Sequence, residues 1–339
     1  MLTTTPPAFT HAEVMTIASR EYGIDAQVKP LVSERDQNFR LDAIDGRRYM
    51  LKISNHAEQL QVVEFQNRAL QHVETHDPAL PLPRVITDLH GETHGCVEKD
   101  GHSHFVRVLS WLDGDILGDV KISAELSHRL GRLLARLGLA FEHFDHPGSN
   151  PPLLWDMKRA SGLRDLLVHI KDPDLNQLVG QTLDTFDSKV KPVLDTLRTQ
   201  VIHNDMNLGN VLMDKNQPDQ ISGLIDFGDM VKSPLIIDLA VACAYQLSDG
   251  HDPLSGALPM IAGYHALRPL QIVEMELLTD LIRTRLITSL LIGNYRVKLF
   301  PENRDYLLIS QKPAIRNLRR LQQLGHDEAL KRIRNCCGD

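Results

Sequence analysis

Residues 201–229 carry oxygen-bearing side chains in an order that suits transfer of a phosphoryl group. The stretch reads Val201-Ile202-His203-Asn204-Asp205-Met206-Asn207-Leu208-Gly209-Asn210-Val211-Leu212-Met213 and later Gly223-Leu224-Ile225-Asp226-Phe227-Gly228-Asp229. Asp205 follows an apolar pair. Asn210 opens a second apolar run five residues on, and Asp226 closes a third run sixteen residues after that. A carboxylate from Asp226 and an amide oxygen from Asn210 make a hard-oxygen site for Mg²⁺. That ion takes one or two protein carboxylates and completes its shell with water and substrate phosphates. Asp205 is then free to orient and deprotonate a hydroxyl. A base Asp, a metal Asn five residues later and a metal Asp opening Asp-Phe-Gly form the division of labour of kinase-type phosphoryl transfer. Either half alone is a weak signal, since turn-forming Asp and Asn residues between core strands would explain each. Order, spacing and flanking apolar runs together favour the chemical reading.

These groups need strands and helices to hold them. Pro218-Asp219-Gln220 reads as a hairpin turn between the second and third apolar runs. Upstream, His11–Arg20 has helical spacing, with Thr10 as N-cap and Gly23 as the stop. Residues 26–30, 38–44 and 49–53 read as strands, with Asp45-Gly46 as a hairpin turn and Lys52 in the third. Residues 56–73 read as a helix with Leu60, Val63, Leu70 and Val73 inward, and 95–98 and 104–110 as further strands. After Gly114 the period changes from two to that of helices. Leu126, Leu130, Leu133, Leu134 and Leu137 form a core stripe, and residues 174–197, 253–267, 270–299 and 314–334 are also expected to be helical. Ser233-Pro234 is expected to open a buried helix that carries Asp238.

The catalytic stretch resembles the aminoglycoside phosphotransferase and choline kinase branch of the kinase-like fold. Within that branch, Ser33–Phe39, Tyr49–Ser54 and Ile225–Asp229 look most like the hydroxylysine kinases, and the resemblance runs from about residue 10 to about residue 330. It implies an α+β, bilobal protein-kinase-like fold with a small antiparallel-sheet N-lobe and a larger, mainly helical C-lobe. The expected division is a nucleotide-binding lobe at 1–110 and a catalytic and substrate-binding lobe at 111–339. The resemblance implies ATP or GTP with Mg²⁺, the inner phosphates on Lys52, and Glu64 as the partner of Lys52, with Glu58 the other possibility. It places Val108, Leu109 and Ser110 at the nucleotide base and makes Asp238 a support for the backbone around Asp205. Asn38 is a candidate phosphate contact, and Arg35 another, because residues 33–38 lie where a Gly-rich loop would sit and contain no Gly. The other departure is Asn204, where the branch usually has Gly. The acceptor is expected to be a small hydroxylated amine or amino acid, hydroxylysine first, with homoserine, choline, ethanolamine or an aminoglycoside as alternatives. Asp229, Trp155, Asp156 and Arg285 are candidate acceptor contacts. A Trp beside an Asp suits an ammonium group, and an Arg fork suits a carboxylate. For both pairs a structural role explains the residues as well. A nucleotide-binding pseudokinase is the reading of another class.

The 339 residues allow one large or two medium domains, and 42% apolar residues suffice for a substantial core. A net charge of −7 disfavours a general nucleic-acid binder. Cys96, Cys243, Cys336 and Cys337 have no zinc or disulfide-framework spacing. The opening Met-Leu-Thr-Thr-Thr-Pro-Pro does not read as a signal peptide, and no apolar run is long enough to span a bilayer. A cytoplasmic enzyme with a small-molecule substrate is expected, with no membrane or nucleic-acid partner; composition does not speak to its oligomeric state.

Overall fold

A computed structural model describes residues 4–338 apart from Glu34, Pro218 and Ile309. In chain order the elements are α1 (His11–Tyr22), β1 (Ala26–Leu31), β2 (Gln37–Ala43), β3 (Arg48–Ile53), α2 (Leu60–His76), β4 (Val85–Ile86), β5 (Gly95–Lys99), β6 (His102–Ser110), β7 (Asp115–Ile116) and α3 (Ala124–Ala140). There follow α4 (Pro173–Thr185), β8 (Thr199–Ile202), β9 (Val211–Met213), β10 (Ile221–Leu224), β11 (Val231–Pro234), α5 (Leu235–Ala244), α6 (Leu258–Leu267), α7 (Ile272–Leu299), α8 (Arg304–Leu307), α9 (Gln311–Leu324) and α10 (His326–Cys337). Two compact units result: residues to Gly114 with 146–151 and 222–225, and residues 115–145, 152–221 and 226–339. Two short returning segments therefore belong with the first unit, and its first break falls at Gly114 rather than at residue 110.

The first unit is built on an antiparallel sheet in the order β1-β2-β3-β6-β4, with β5 also paired to β6. Alternation decides its faces: Phe39, Leu41, Leu51, Ile53, Val106 and Val108 all point into one core with Val14, Ile17 and Ala18 of α1. The helix starts where a capping box closes between Thr10 and Glu13 and stops at left-handed Gly23 (φ 63°). The Asp45-Gly46 turn closes with Gly46 at φ 86° and Ala43 N donating to Arg47 O at 2.9 Å. On the opposite sheet face Lys52 stands directly across from Arg107. Two cations there require separate partners, and Arg107 takes Gln66 and Asn67 of α2. Leu60 is 42% exposed, so the buried side of α2 is carried by Val62, Val63, Phe65, Leu70 and Val73 instead.

The second unit is mainly helical. Its long spine, α7, is buried along most of its length. The Leu126–Leu137 stripe of α3 is buried as its spacing predicts. α3 and α6 approach through glycines: a Cβ at Gly131 would lie 2.0 Å from Met260 O, and one at Gly263 would lie 2.0 Å from His128 O. The buried helix expected to open at Ser233-Pro234 forms as α5, with Pro234 at its N-cap and Asp238 in its first turn. Before it, β11 pairs antiparallel with β8 (Val231 opposite Ile202). Two expectations are corrected. The expected final helix is two, broken at Gly325 with φ 76°. The α4 segment passes into a π turn at Phe186–Val190 and a tighter turn at Lys191–Thr196 before β8. The turn after β9 closes with Asp214 N donating to Gln220 O at 2.8 Å, while Pro218 lies outside the described residues.

Backbone contact between α3 and α6 predicts that Gly131→Ala lowers stability by about 1–3 kcal/mol through overpacking. Gly180 in α4 has open space around its missing Cβ, so Gly180→Ala should instead gain about 0.5–1 kcal/mol from helix propensity. Urea unfolding midpoints of the two variants test both signs.

Candidate active site

Asp205 follows the end of β8 in a tight loop. Its carboxylate is held from two directions. Asn207 Nδ2 donates to Oδ2 at 3.0 Å and Asn210 Nδ2 donates to the same oxygen at 2.9 Å. Arg285 Nη2, from the middle of α7, donates to Oδ1 at 2.9 Å. Burial pushes the Asp205 carboxyl well above the usual carboxylate range; Arg285 opposes this, while Asp229 and Asp226 add to it. Those two acidic side chains are thus near enough to Asp205 to be felt electrostatically.

The loop backbone is itself pinned. Asp238, in the first turn of α5, accepts from His203 N at 3.2 Å and from Asn204 N at 2.8 Å. Its carboxyl is pushed up by burial to about 6, even though both of these hydrogen bonds pull it down. This is the support role expected of Asp238. Asn204 has φ 65°, a left-handed conformation that suits Gly and that Asn tolerates better than most residues. Its Nδ2 also donates to Asp229 O at 3.2 Å, tying the loop to the chain that follows Asp226. His203 packs edge-on against Phe227 with ring centroids 4.7 Å apart. The Phe beside Asp226 therefore serves as an apolar anchor for that loop.

Asn210 donates from one Nδ2 to both Asp205 O and Asp205 Oδ2, each at 2.9 Å. This turns its amide oxygen away from Asp205. Asp226 is exposed and left-handed (φ 61°), with Gly228 N donating to Oδ1 at 3.2 Å. These are hard-oxygen donors of the kind Mg²⁺ takes, and they fit such an ion. Among the described residues no group of three or more His, Cys, Asp or Glu side chains is clustered for a metal.

The remaining expected residues are placed as follows. In the first unit Lys52 Nζ lies 2.6 Å from Asp36 Oδ2, and Asp36 Oδ1 accepts from Asn55 N at 3.0 Å. The Lys52–Glu64 pair is not formed: Glu64 is half-buried on α2 and has no ion pair among the described residues. Glu58, the other possibility, lies close enough to Asp36 and Lys52 for both to act on its carboxyl, which burial raises. Asn38 stands opposite Lys52 in the β2–β3 ladder, with Oδ1 buried and, among the described residues, unbonded. Val108 and Leu109 are buried in β6 between β3 and β4, and Ser110 exchanges hydrogen bonds with Arg84. In the second unit Asp156 is buried and caps the helical turn that starts at Met157 through Lys158 N. Trp155 is half-buried beneath Arg285, and Asp229 is half-buried. Sequence reasoning missed Asp36 as the Lys52 partner. The hairpin register pairs Gln37 with Ile53 and so brings the residue before β2 to the end of β3, a neighbourhood that strand pairing alone could have suggested.

A family profile described as the phosphotransferase enzyme family (APH) matches residues 27–270, and the chain belongs to that family. Hydroxylysine kinase of Danio rerio is 29% identical over 96% of this chain and 95% of its own length. Hydroxylysine kinase of Mus musculus is 28% identical over 94% and 91%. Among solved structures, the amicoumacin kinase hAmiN in complex with AMP-PNP, Ca²⁺ and Ami aligns over 94% of this chain and 98% of its own, with a TM-score of 0.70 at 14% identity. That likeness shows the kinase-like fold expected from the motifs.

Removing the Asp238 acceptors strands two buried N–H groups. Asp238→Ala should cost about 2–5 kcal/mol, and Asp238→Asn, which keeps one acceptor, clearly less. Equal losses in chemical denaturation would show that the two hydrogen bonds are not what holds this loop.

Proposed function

We propose that the protein is a hydroxylysine kinase, moving the γ-phosphoryl of ATP or GTP to the hydroxyl of free hydroxylysine. The observation that carries the reading is the Asp205 carboxylate, restrained on both oxygens in a loop whose next two amides and following acid match phosphotransfer chemistry. The full-length similarity to hydroxylysine kinases selects the acceptor.

The residues divide the work. Asp205 accepts the proton of the substrate hydroxyl as the phosphoryl group transfers in line. A loosely bonded transition state makes positioning and charge neutralisation the main tasks. Asn210 and Asp226 would hold Mg²⁺, which when bound offsets the negative charge of the phosphates. In the first unit Lys52 would hold the inner phosphates, steadied by Asp36 rather than Glu64, and Asn38 and Val108 to Ser110 would contact the nucleotide. Asp229, Trp155 and Asp156 are candidates on the acceptor side. The proposed enzyme is cytoplasmic, in keeping with cysteines that lack a disulfide-framework spacing, acts on a small molecule, and has no nucleic-acid partner, in keeping with a net charge of −7; among the described residues no helix is long and apolar enough to cross a membrane.

The test is nucleotide-diphosphate release across hydroxylysine, homoserine, choline, ethanolamine and an aminoglycoside, each with ATP and with GTP. Hydroxylysine should give the highest kcat/KM. Preference for another acceptor would move the assignment within the family. Tight Mg–nucleotide binding without turnover of any acceptor would favour a pseudokinase. Asp205→Asn should lower kcat by about 10²–10⁴-fold and leave nucleotide binding intact; near wild-type turnover would exclude Asp205 as the base. Asp226→Ala should weaken the Mg²⁺ dependence of nucleotide binding, and an unchanged metal titration would remove Asp226 from the ligand set.

A further inference from the structure

Arg285 is 2% exposed in the middle of α7. Its guanidinium lies 4.9 Å from the centre of the Trp155 ring and 5.7 Å from that of Tyr245. Nη2 donates to Asp205 Oδ1 at 2.9 Å and to the Tyr245 hydroxyl at 3.1 Å. Nε and Nη1 are buried and have no hydrogen-bond partner among the described residues. A buried guanidinium ordinarily fills its donors, because leaving them empty in a dry site is costly. Here aromatic faces replace part of the lost hydration, and the donors that are filled belong to the one nitrogen that meets Asp205.

This arrangement does not suit a receptor for a substrate carboxylate. The donors left over are closed off from solvent, and the open end is already occupied by Asp205. It does suit a clamp. The loop amides of Asn207 and Asn210 hold Oδ2, but a carboxylate fastened at one oxygen can still swing about its side-chain torsion. A second fastening at Oδ1 from a rigid helix stops that swing. Trp155 and Tyr245 in turn stop the guanidinium from rotating away.

We propose that Arg285 is the positioning residue of the catalytic base: clamped between Trp155 and Tyr245, it fixes the plane of the Asp205 carboxylate for the incoming hydroxyl. The inference deepens the kinase assignment and rests on it. Arg285 acts through Asp205 and touches neither nucleotide nor acceptor, so its loss affects kcat rather than either KM.

The experiment is steady-state kinetics of the full chain with Mg–ATP and the best acceptor of the panel. Arg285→Ala should lower kcat by roughly 100-fold, the effect of a misplaced catalytic group, with both KM values within about twofold of wild type. Free guanidinium ion should restore part of that loss. Arg285→Lys keeps the charge but has no planar fork to stack, and should lose roughly tenfold in kcat; this variant decides the matter if Arg285→Ala does not fold. An unchanged kcat in either folded variant overturns the proposal. A raised acceptor KM at unchanged kcat also overturns it and makes Arg285 a substrate-binding residue. A wild type inactive on every acceptor sinks the kinase assignment and this role together, whereas an active wild type with insensitive Arg285 variants sinks the role alone.

Discussion

A carboxylate taken out of water must be given back its hydrogen bonds, and the second unit is arranged around doing this for Asp205. Two amides supply one oxygen and an arginine supplies the other. Nearby Asp226 and Asp229 make the charge harder to keep. The group is therefore held in place through both of its oxygens, and alignment is what phosphoryl transfer mainly asks for.

The same logic repeats one layer out. Asp238 is also buried, and it accepts the two backbone N–H groups that precede Asp205. The loop can then turn through a left-handed Asn204 without leaving donors orphaned. β8 and β11 form the ladder from which the loop springs, and α5 begins directly after β11, which brings Asp238 beneath the loop. The α7 helix contributes Arg285 from eighty residues further along the chain. Local turn chemistry, a short ladder and two distant helices thus meet at one side chain.

In the first unit the problem is a cation instead. Lys52 and Arg107 stand opposite one another on a single sheet face, so each needs its own counter-group. Arg107 finds amides of α2, and Lys52 finds Asp36 at the end of the Gly-free segment before β2. That segment belongs to a chain of the phosphotransferase enzyme family. In place of glycine flexibility it offers a carboxylate that orders both Lys52 and the Asn55 backbone.

The elements with strong local signals were legible before any coordinates. Thr10 and Gly23 bound α1, Asp45-Gly46 turns β2 into β3, the leucine stripe buries α3, and the spacing of Asp205, Asn210 and Asp226 announces phosphotransfer; each depends on neighbours within a few turns of chain, or on an order of residues that chemistry itself requires. Partners drawn from remote sequence were not legible. Glu64 and Glu58 were the counter-ions that the sequence offered for Lys52, and strand register brought Asp36 to it instead. Arg285 has the composition of a substrate-binding arginine, and only the packing of α7 against Trp155 and Tyr245 committed it to Asp205. Periodicity and turn chemistry are properties of the chain, whereas the pairing of buried charges depends on which surfaces lose water together, and that is settled only when the whole unit packs.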